Sequence, residues 1–128
     1  MSEKEPIWLT RLAVDAIHDD QLRSHGGASG ILNEGSVESA LARARQKFAY
    51  GTPDVYACAA AYLYGFAKNH GYQDANKRTA YMAARTFLRM NGISVRATPH
   101  AIIDLMLDVA TDRCDEVGIA DWLRAHTT

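Results

Sequence analysis

The fold is best predicted from residues 55–69, Val-Tyr-Ala-Cys-Ala-Ala-Ala-Tyr-Leu-Tyr-Gly-Phe-Ala-Lys-Asn. It is rich in alanine and nearly apolar around its whole circumference. A helix that is apolar on every side is a buried helix. Thr52, Pro53 and Asp54 form a start signal just before it, since Thr can cap, Pro suits the first helical position, and an early acid complements the helix dipole. The sequence therefore predicts a buried central helix that runs to about Asn69.

Helical spacing of apolar residues continues on both sides of this segment. The predicted helices run from Leu9 to about Arg23, from a cap at Ser36, from about Asn76 to Asn91, from Thr98-Pro99 onward, and from Val117 to His126. Ile93–Arg96 is expected to be a short extended piece. We therefore expect one all-α domain over residues 1–128, a small bundle of about six helices, with or without a short extended flap.

Composition and charge narrow the class of protein. The 128 residues are 48% hydrophobic and 23% charged, as in a folded globular chain. A formal net charge of -1 disfavours direct nucleic-acid binding, which normally needs a basic excess. No apolar run approaches the ~18 residues of a membrane span. The acidic N-terminus lacks a signal sequence, and Cys58 and Cys114 are widely separated, so we expect a cytoplasmic protein with free thiols.

The segment His-Gly-Tyr-Gln-Asp-Ala-Asn-Lys-Arg, residues 70–78, does not follow the usual residue preferences at helix ends. Lys77 and Arg78 lie at a predicted helix N-terminus, where two cations oppose the positive end of the helix dipole. The arrangement becomes favourable when an anion such as phosphate is bound there. Asp74 could then hold a Mg²⁺ that bridges the phosphates, and His70 is suited to act as a general base.

A purely structural interpretation explains part of the same segment. Asp74 or Asn76 could be a helix cap, His70 a residue favoured by the preceding helix dipole, and Gly71 a helix stop. Capping does not explain the adjacent Lys77 and Arg78. On the residues alone, a phosphate site and a structural turn both remain open.

The same residues resemble the signature of the Fic/Doc family, His-x-Phe/Tyr-x-Asp/Glu-Ala/Gly-Asn-Gly/Lys-Arg. The likeness extends to His25-Gly26-Gly27, Glu38–Leu41, Phe87–Gly92 and Trp122-Leu123, so it covers essentially the whole chain. The resemblance implies a small helical bundle that transfers part of a nucleoside triphosphate to a protein hydroxyl. It also implies that His70 is the catalytic base, that Asp74 holds Mg²⁺, and that Asn76, Lys77 and Arg78 bind the phosphates of ATP.

Two positions differ from the adenylylating members of that family. Lys77 replaces their glycine, and Tyr81 stands where they usually carry a second arginine. Both features resemble the Doc branch, whose toxins transfer the γ-phosphate to a threonine of translation elongation factor Tu. The resemblance thus implies a serine/threonine protein kinase that arrests translation.

The resemblance to the Doc branch implies that the activity of the protein is controlled by an antitoxin, which supplies a helical segment. The inhibitory pattern Ser/Thr-x-x-x-Glu-Gly is absent from the sequence, since Ser29 and Glu34-Gly35 are out of spacing by one residue. The small residues of the two most apolar helices predict a groove that accepts such a segment (Ala59, Ala60, Ala61, Ala83, Ala84). The alternative functions are a Fic-type adenylyltransferase and a catalytically idle module that only binds a partner helix.

Four further features carry expectations. The segment Gln46–Gly51, with Lys47, Phe48, Ala49 and Tyr50, matches the family's target-docking flap. An exposed strand edge there could recruit an extended peptide. An ordinary inter-helix loop is the alternative.

Gly71 replaces a bulkier residue, which favours a looser loop. Tyr72 adds a hydroxyl that needs a partner. His18-Asp19 resembles the metal phosphohydrolase dipeptide, but no histidine precedes it as a further ligand.

Overall fold

The computed structural model describes residues 5–51 and 54–127, and these form six α-helices. The helices are α1 (Arg11–His25), α2 (Glu34–Ala49), α3 (Val55–Asn69), α4 (Asn76–Met90), α5 (Pro99–Ala110) and α6 (Glu116–Ala125). Within the described ranges the only β-type pairings are two isolated bridges, Ile31 with Tyr72 and Val95 with Thr127. The predicted all-α fold is therefore confirmed. None of these helices is long and apolar enough to cross a membrane.

Helix α3 is the centre of the bundle, as its composition predicts. It packs against α2, α4, α5 and α6, and nine of its residues are buried. Tyr62 is fully buried in it, and its hydroxyl accepts a hydrogen bond from the backbone N–H of Leu9 at 3.2 Å. Burial raises the pKa of Tyr62 to about 12. Phe87 of α4 lies against the same ring, and Trp8 stacks on Phe87 at 5.8 Å.

Most predicted helix limits agree with the structure within one or two residues. Thr98 caps α5 through its side chain, which accepts from the N–H of Ala101, and α6 begins after Asp115, one residue earlier than predicted. Asp54 caps α3, whereas Thr52 and Pro53, the rest of that start signal, lie outside the described residues. Val95, in the segment predicted to be extended, forms an isolated β-bridge with Thr127.

The start of α2 differs from the prediction. Asn33, not Ser36, is the cap: the Asn33 side chain accepts from the backbone N–H of Ser36 at 2.9 Å, and the helix begins at Glu34. The reason is a long-range contact, because the N–H of Asn33 donates to the carbonyl of Gly71 at 3.0 Å. That bond fixes Asn33 in an extended conformation, which is the backbone shape that a cap requires.

Two further expectations are wrong in detail. Lys47, Phe48 and Ala49 form the last turn of α2 and Tyr50 follows as its C-cap, so this segment is neither a strand edge nor an extended flap. The five alanines expected to line a groove are all fully buried, because α3 is covered by α2, α4, α5 and α6, and α4 packs against α3 and α1. These residues therefore do not line a surface that is open to a partner.

Candidate active site

The loop between α3 and α4 carries the whole predicted motif. It is bounded by two residues in the left-handed conformation, His70 (φ 49°, ψ 50°) and Ala75 (φ 63°, ψ 25°). Non-glycine residues adopt this conformation at a cost of about 1–2 kcal/mol each, so surrounding contacts must hold it. These two residues lie at the two ends of the loop that joins the C-terminus of α3 to the N-terminus of α4.

The N-terminus of α4 has no side-chain cap. Ala75 occupies the cap position, and no side chain in the described part of the molecule accepts a hydrogen bond from the first N–H groups of the helix. Neither Asp74 nor Asn76 caps α4, so the structural interpretation fails at this point. Free N–H groups at a helix start form an anion-binding site.

Asp74 is held in place by two backbone N–H groups from different parts of the chain. Its Oδ1 accepts from Ala75 at 2.8 Å, and its Oδ2 accepts from Ala28, in the glycine-rich loop after α1, at 3.2 Å. These bonds, that to Ala75 first, lower the pKa of the Asp74 carboxyl. The side chain is otherwise exposed, and a carboxylate offers about four lone-pair sites, so roughly two remain free.

Arg78 bridges the motif to the end of α1. Its Nη1 donates to the carbonyl of Gln21 at 3.3 Å and its Nη2 to the carbonyl of Gly26 at 3.0 Å. A guanidinium has five N–H donors, and these contacts leave others for a ligand. Lys77 is exposed and has no acidic partner among the residues that the structure describes. The two cations therefore play different parts, one anchored and one open.

Asn76 faces back into the loop. Its Oδ1 accepts from the N–H of Tyr72 at 3.1 Å and its Nδ2 donates to the carbonyl of Tyr72 at 2.9 Å. The side chain thus closes the turn from Tyr72 to Asn76. One N–H of the amide remains for a phosphate, and the nucleotide contact of Asn76 stays a prediction.

Gly71 and Tyr72 fix the loop instead of loosening it. Gly71 is buried, and its carbonyl accepts from the N–H groups of Leu32 (2.9 Å) and Asn33 (3.0 Å). A Cβ on Gly71 would lie 2.5 Å from Cγ2 of Val37, so any other residue would force α2 or the loop to shift. The expectation of a looser loop is wrong, because the backbone of Gly71 is packed closely against α2. The hydroxyl of Tyr72 has the partner that it needs, and donates to Oδ1 of Asp15 at 2.7 Å.

His70, the predicted base, is exposed at the end of α3, directly before this fixed turn. Tyr81 lies elsewhere: it is buried and meets the ring of Trp122 edge-on at 6.3 Å. Burial raises the pKa of Tyr81. Position 81 therefore belongs to the core, and no second cation follows Arg78 on that turn.

Two contributors to the site were missed in the sequence. Ala28 supplies a backbone N–H to Asp74, and His18 touches the backbone of the same residue. A backbone donor leaves no mark in residue type, although the cluster of glycines around Ala28 does indicate an unusual loop. His18 is buried and has a partner other than a metal, so the phosphohydrolase interpretation is not supported.

The predicted docking residues are only partly available to a partner. Lys47 and Tyr50 line an open cavity of about 380 Å³ together with Arg43 and Gln46. Phe48 is half-buried and meets the ring of Trp8 at 5.7 Å. Phe48 therefore serves the core, and Tyr50 is the exposed aromatic residue of this surface.

Asp74 fits the kind of ligand set that Mg²⁺ uses. Within the described ranges no three His, Cys, Asp or Glu residues group together as an all-protein metal cage. Mg²⁺ in phosphoryl-transfer sites is commonly held by one or two carboxylates together with substrate phosphates and water. A single exposed carboxylate, oriented by backbone bonds next to a helix N-terminus, matches that pattern.

Comparison with known proteins agrees with this site. A model described as the Fic/DOC family matches residues 8–88, which include every motif residue. The chain therefore belongs to the Fic/Doc family. It is 36% identical over 110 residues to "Protein kinase doc" of Escherichia phage P1, covering 85% of this chain and 86% of that protein. It is 41% identical over 100 residues to "Toxin Doc" of Mycolicibacterium smegmatis, covering 74% and 76%. These relatives place it in the Doc branch.

Proposed function

We propose that this protein is the toxin of a toxin–antitoxin pair and acts as an ATP-dependent protein kinase. In this proposal it transfers the γ-phosphate of ATP to a threonine or serine hydroxyl of a translation factor, elongation factor Tu, and so arrests translation in the cytoplasm. The observation that carries the proposal is the uncapped start of α4, where free N–H groups, exposed Lys77 and anchored Arg78 follow directly on the oriented carboxylate of Asp74. The printed names of the two relatives point the same way.

Each residue has a defined part in the reaction. Asn76, Lys77, Arg78 and the N–H groups of α4 bind the phosphates of ATP, and Asp74 is the ligand for Mg²⁺. Bound Mg²⁺ would neutralise charge on the phosphate oxygens. His70 takes the proton of the target hydroxyl at a ring nitrogen while that oxygen bonds to the γ-phosphorus. The bond from the γ-phosphorus to the bridging oxygen breaks, and ADP leaves with the electron pair.

The test is to incubate the purified protein with elongation factor Tu, Mg²⁺ and ATP labelled at either the γ- or the α-phosphate. We expect γ-label on the target and a phosphorylated threonine or serine by mass spectrometry. His70→Ala should abolish transfer, whereas His100→Ala, at an exposed histidine of α5, should not. Wild-type protein that leaves no γ-label on elongation factor Tu, although it labels another protein in a lysate, would refute this target.

The adenylyltransferase is the second candidate, favoured by the shared motif from His70 to Arg78. It predicts α-label and AMP on the target. Tyr81 argues against it, because its side chain is buried against Trp122 and supplies no cation to a triphosphate. A binding module without catalysis predicts neither label. One labelling experiment thus separates all three functions.

We further propose that an antitoxin blocks the site in trans with a helical segment. The absence of the inhibitory pattern from the sequence supports external control. An antitoxin region that folds on binding should gain helical circular dichroism when the protein is added, and should stop γ-label transfer. A neutralising partner that is fully folded beforehand would contradict this mode.

A further inference from the structure

His18 of α1 makes an unusual contact with the motif. It is buried (3% exposed), and its Nε2 lies 2.9 Å from the main-chain carbonyl oxygen of Asp74. A carbonyl oxygen can only accept, so Nε2 carries the hydrogen. The imidazole also stacks on the ring of Tyr72, with centroids 3.8 Å apart and planes 11° from parallel. One side chain therefore touches two residues of the motif loop.

The carbonyl that His18 holds is at the critical point of the loop. It immediately precedes Ala75, which adopts the strained left-handed conformation. It also belongs to the residue whose carboxylate is aimed by the N–H groups of Ala75 and Ala28. If the peptide between Asp74 and Ala75 rotates, the carboxylate loses its orientation. The contact from His18 opposes that rotation.

Tyr72 ties the same helix to the loop a second time. Its hydroxyl donates to Asp15, which lies three residues before His18 in α1 and forms an ion pair with Arg11 at 3.0 Å. Its backbone is closed by Asn76. The loop is thus held between α1 and its own turn, and His18 is the member of α1 that contacts the backbone of Asp74.

We infer that His18 is a positioning residue: its Nε2–H fixes the main chain at Asp74 so that the carboxylate is oriented to hold Mg²⁺. The effect of His18 on Mg²⁺ binding and phosphotransfer rests on the proposed function. Its effect on the main chain at Asp74 does not. Removing the partner that orients a metal ligand typically costs 10–100-fold in metal affinity or activity.

The experiment compares substitutions that separate the two contacts. His18→Phe keeps a flat ring against Tyr72 and removes the donor. His18→Gln restores an N–H at similar reach and removes the ring. We expect His18→Phe to raise the Mg²⁺ concentration for half-maximal phosphotransfer by about tenfold or more, and His18→Gln to return it close to the wild-type value.

His126 offers a matched control. It also stacks on an aromatic ring, that of Trp122 at 3.9 Å, and its Nδ1 contacts the Trp122 carbonyl at 2.7 Å. It lies at the other end of the chain, beyond α6. His126→Phe should lower thermal stability at most, with no change in Mg²⁺ dependence. If His18→Phe does not fold, His18→Asn replaces it, since its shorter amide cannot reach the carbonyl.

A second readout does not depend on catalysis. The amide hydrogens of Ala28 and Ala75 both donate to the Asp74 carboxylate, so their exchange with solvent reports its position. By NMR, both should exchange faster in His18→Phe, and not in His18→Gln or His126→Phe. Wild-type exchange in His18→Phe would overturn the inference even if phosphotransfer is confirmed. Absence of phosphotransfer from the wild type would refute the proposed function and leave this readout intact.

Discussion

Gly71→Ala is the substitution for which the structure gives the sharpest energetic expectation. A Cβ at this position would lie 2.5 Å from Cγ2, 2.9 Å from the backbone N and 3.2 Å from Cα of Val37. Ordinary contacts begin near 3.4 Å, so the side chain of Val37 would have to move by about 0.9 Å. Val37 is fully buried in α2, and its backbone N cannot move without the helix.

Overpacking of this kind typically costs about 1–3 kcal/mol, and the backbone contact places Gly71→Ala in the upper half of that range. One kcal/mol corresponds to roughly 2–8 °C in melting temperature for domains of this size, so we expect a fall of at least about 4 °C. The assay is urea unfolding together with thermal melting. Phosphotransfer should also fall, because His70 directly precedes the displaced residue.

Two comparisons make the prediction specific. On a Val37→Ala background the same change should cost less, since Cγ2 is gone, but still something, since the backbone N remains. Gly35→Ala, in the first turn of α2, should be neutral or stabilising by up to about 1 kcal/mol, because its nearest neighbour is 3.4 Å away and alanine favours helix. A Gly71→Ala protein within about 0.5 kcal/mol of the wild type would refute the contact argument.

The remaining predictions concern the site itself. Asp74→Ala should lower Mg²⁺-dependent phosphotransfer by about 10²–10³, measured with γ-labelled ATP, and undiminished transfer would remove Asp74 from this role. Because the pKa of Asp74 is lowered, its stabilising contribution is present above the unfolded pKa and is lost as pH falls through the folded one. Urea unfolding should therefore show the advantage of wild type over Asp74→Asn shrinking below about pH 4. Tyr72→Phe should cost about 1 kcal/mol through loss of the bond to Asp15, with little loss of transfer, because the stacked ring remains. Lys77→Gly should lose phosphotransfer and gain at most weak adenylylation, since Tyr81 is buried and supplies no second cation; AMP on the target of the wild type would refute the kinase assignment.

The parts of the fold that depend on neighbouring residues could be predicted from the sequence. The burial of α3 follows from its own composition, and the start of α5 follows from the cap at Thr98, which acts over three residues. The motif could also be located, since Lys77 and Arg78 at a helix start are unexpected on physical grounds. The order of the residues was sufficient because each of these signals is local.

The parts that could not be predicted depend on contacts between distant residues. Asn33 displaced Ser36 as the cap of α2 because its N–H is fixed by Gly71. The direction of the Asp74 carboxylate depends on Ala28, 46 residues earlier. Both bonds are donated by a backbone N–H, so the residue types of Asn33 and Ala28 do not indicate them. The prediction of an extended flap from Lys47 to Tyr50 was wrong for a different reason. It came from a family resemblance, whereas in this chain α2 continues through Ala49 and Tyr50 is its C-cap.

The glycine-rich loop after α1 lies directly against the candidate active site. A Cβ on Gly27 (φ +127°) would lie 3.0 Å from Oδ2 of Asp74 and 3.4 Å from Nη2 of Arg78, so this backbone is in close contact with both side chains. Arg78 in turn donates to Gly26, and Ala28 donates to Asp74. The contacts that join this loop to the motif are thus contacts that orient the carboxylate of Asp74 and the guanidinium of Arg78. A substitution in this loop should accordingly change stability and activity together, although the loop contains no residue of the motif.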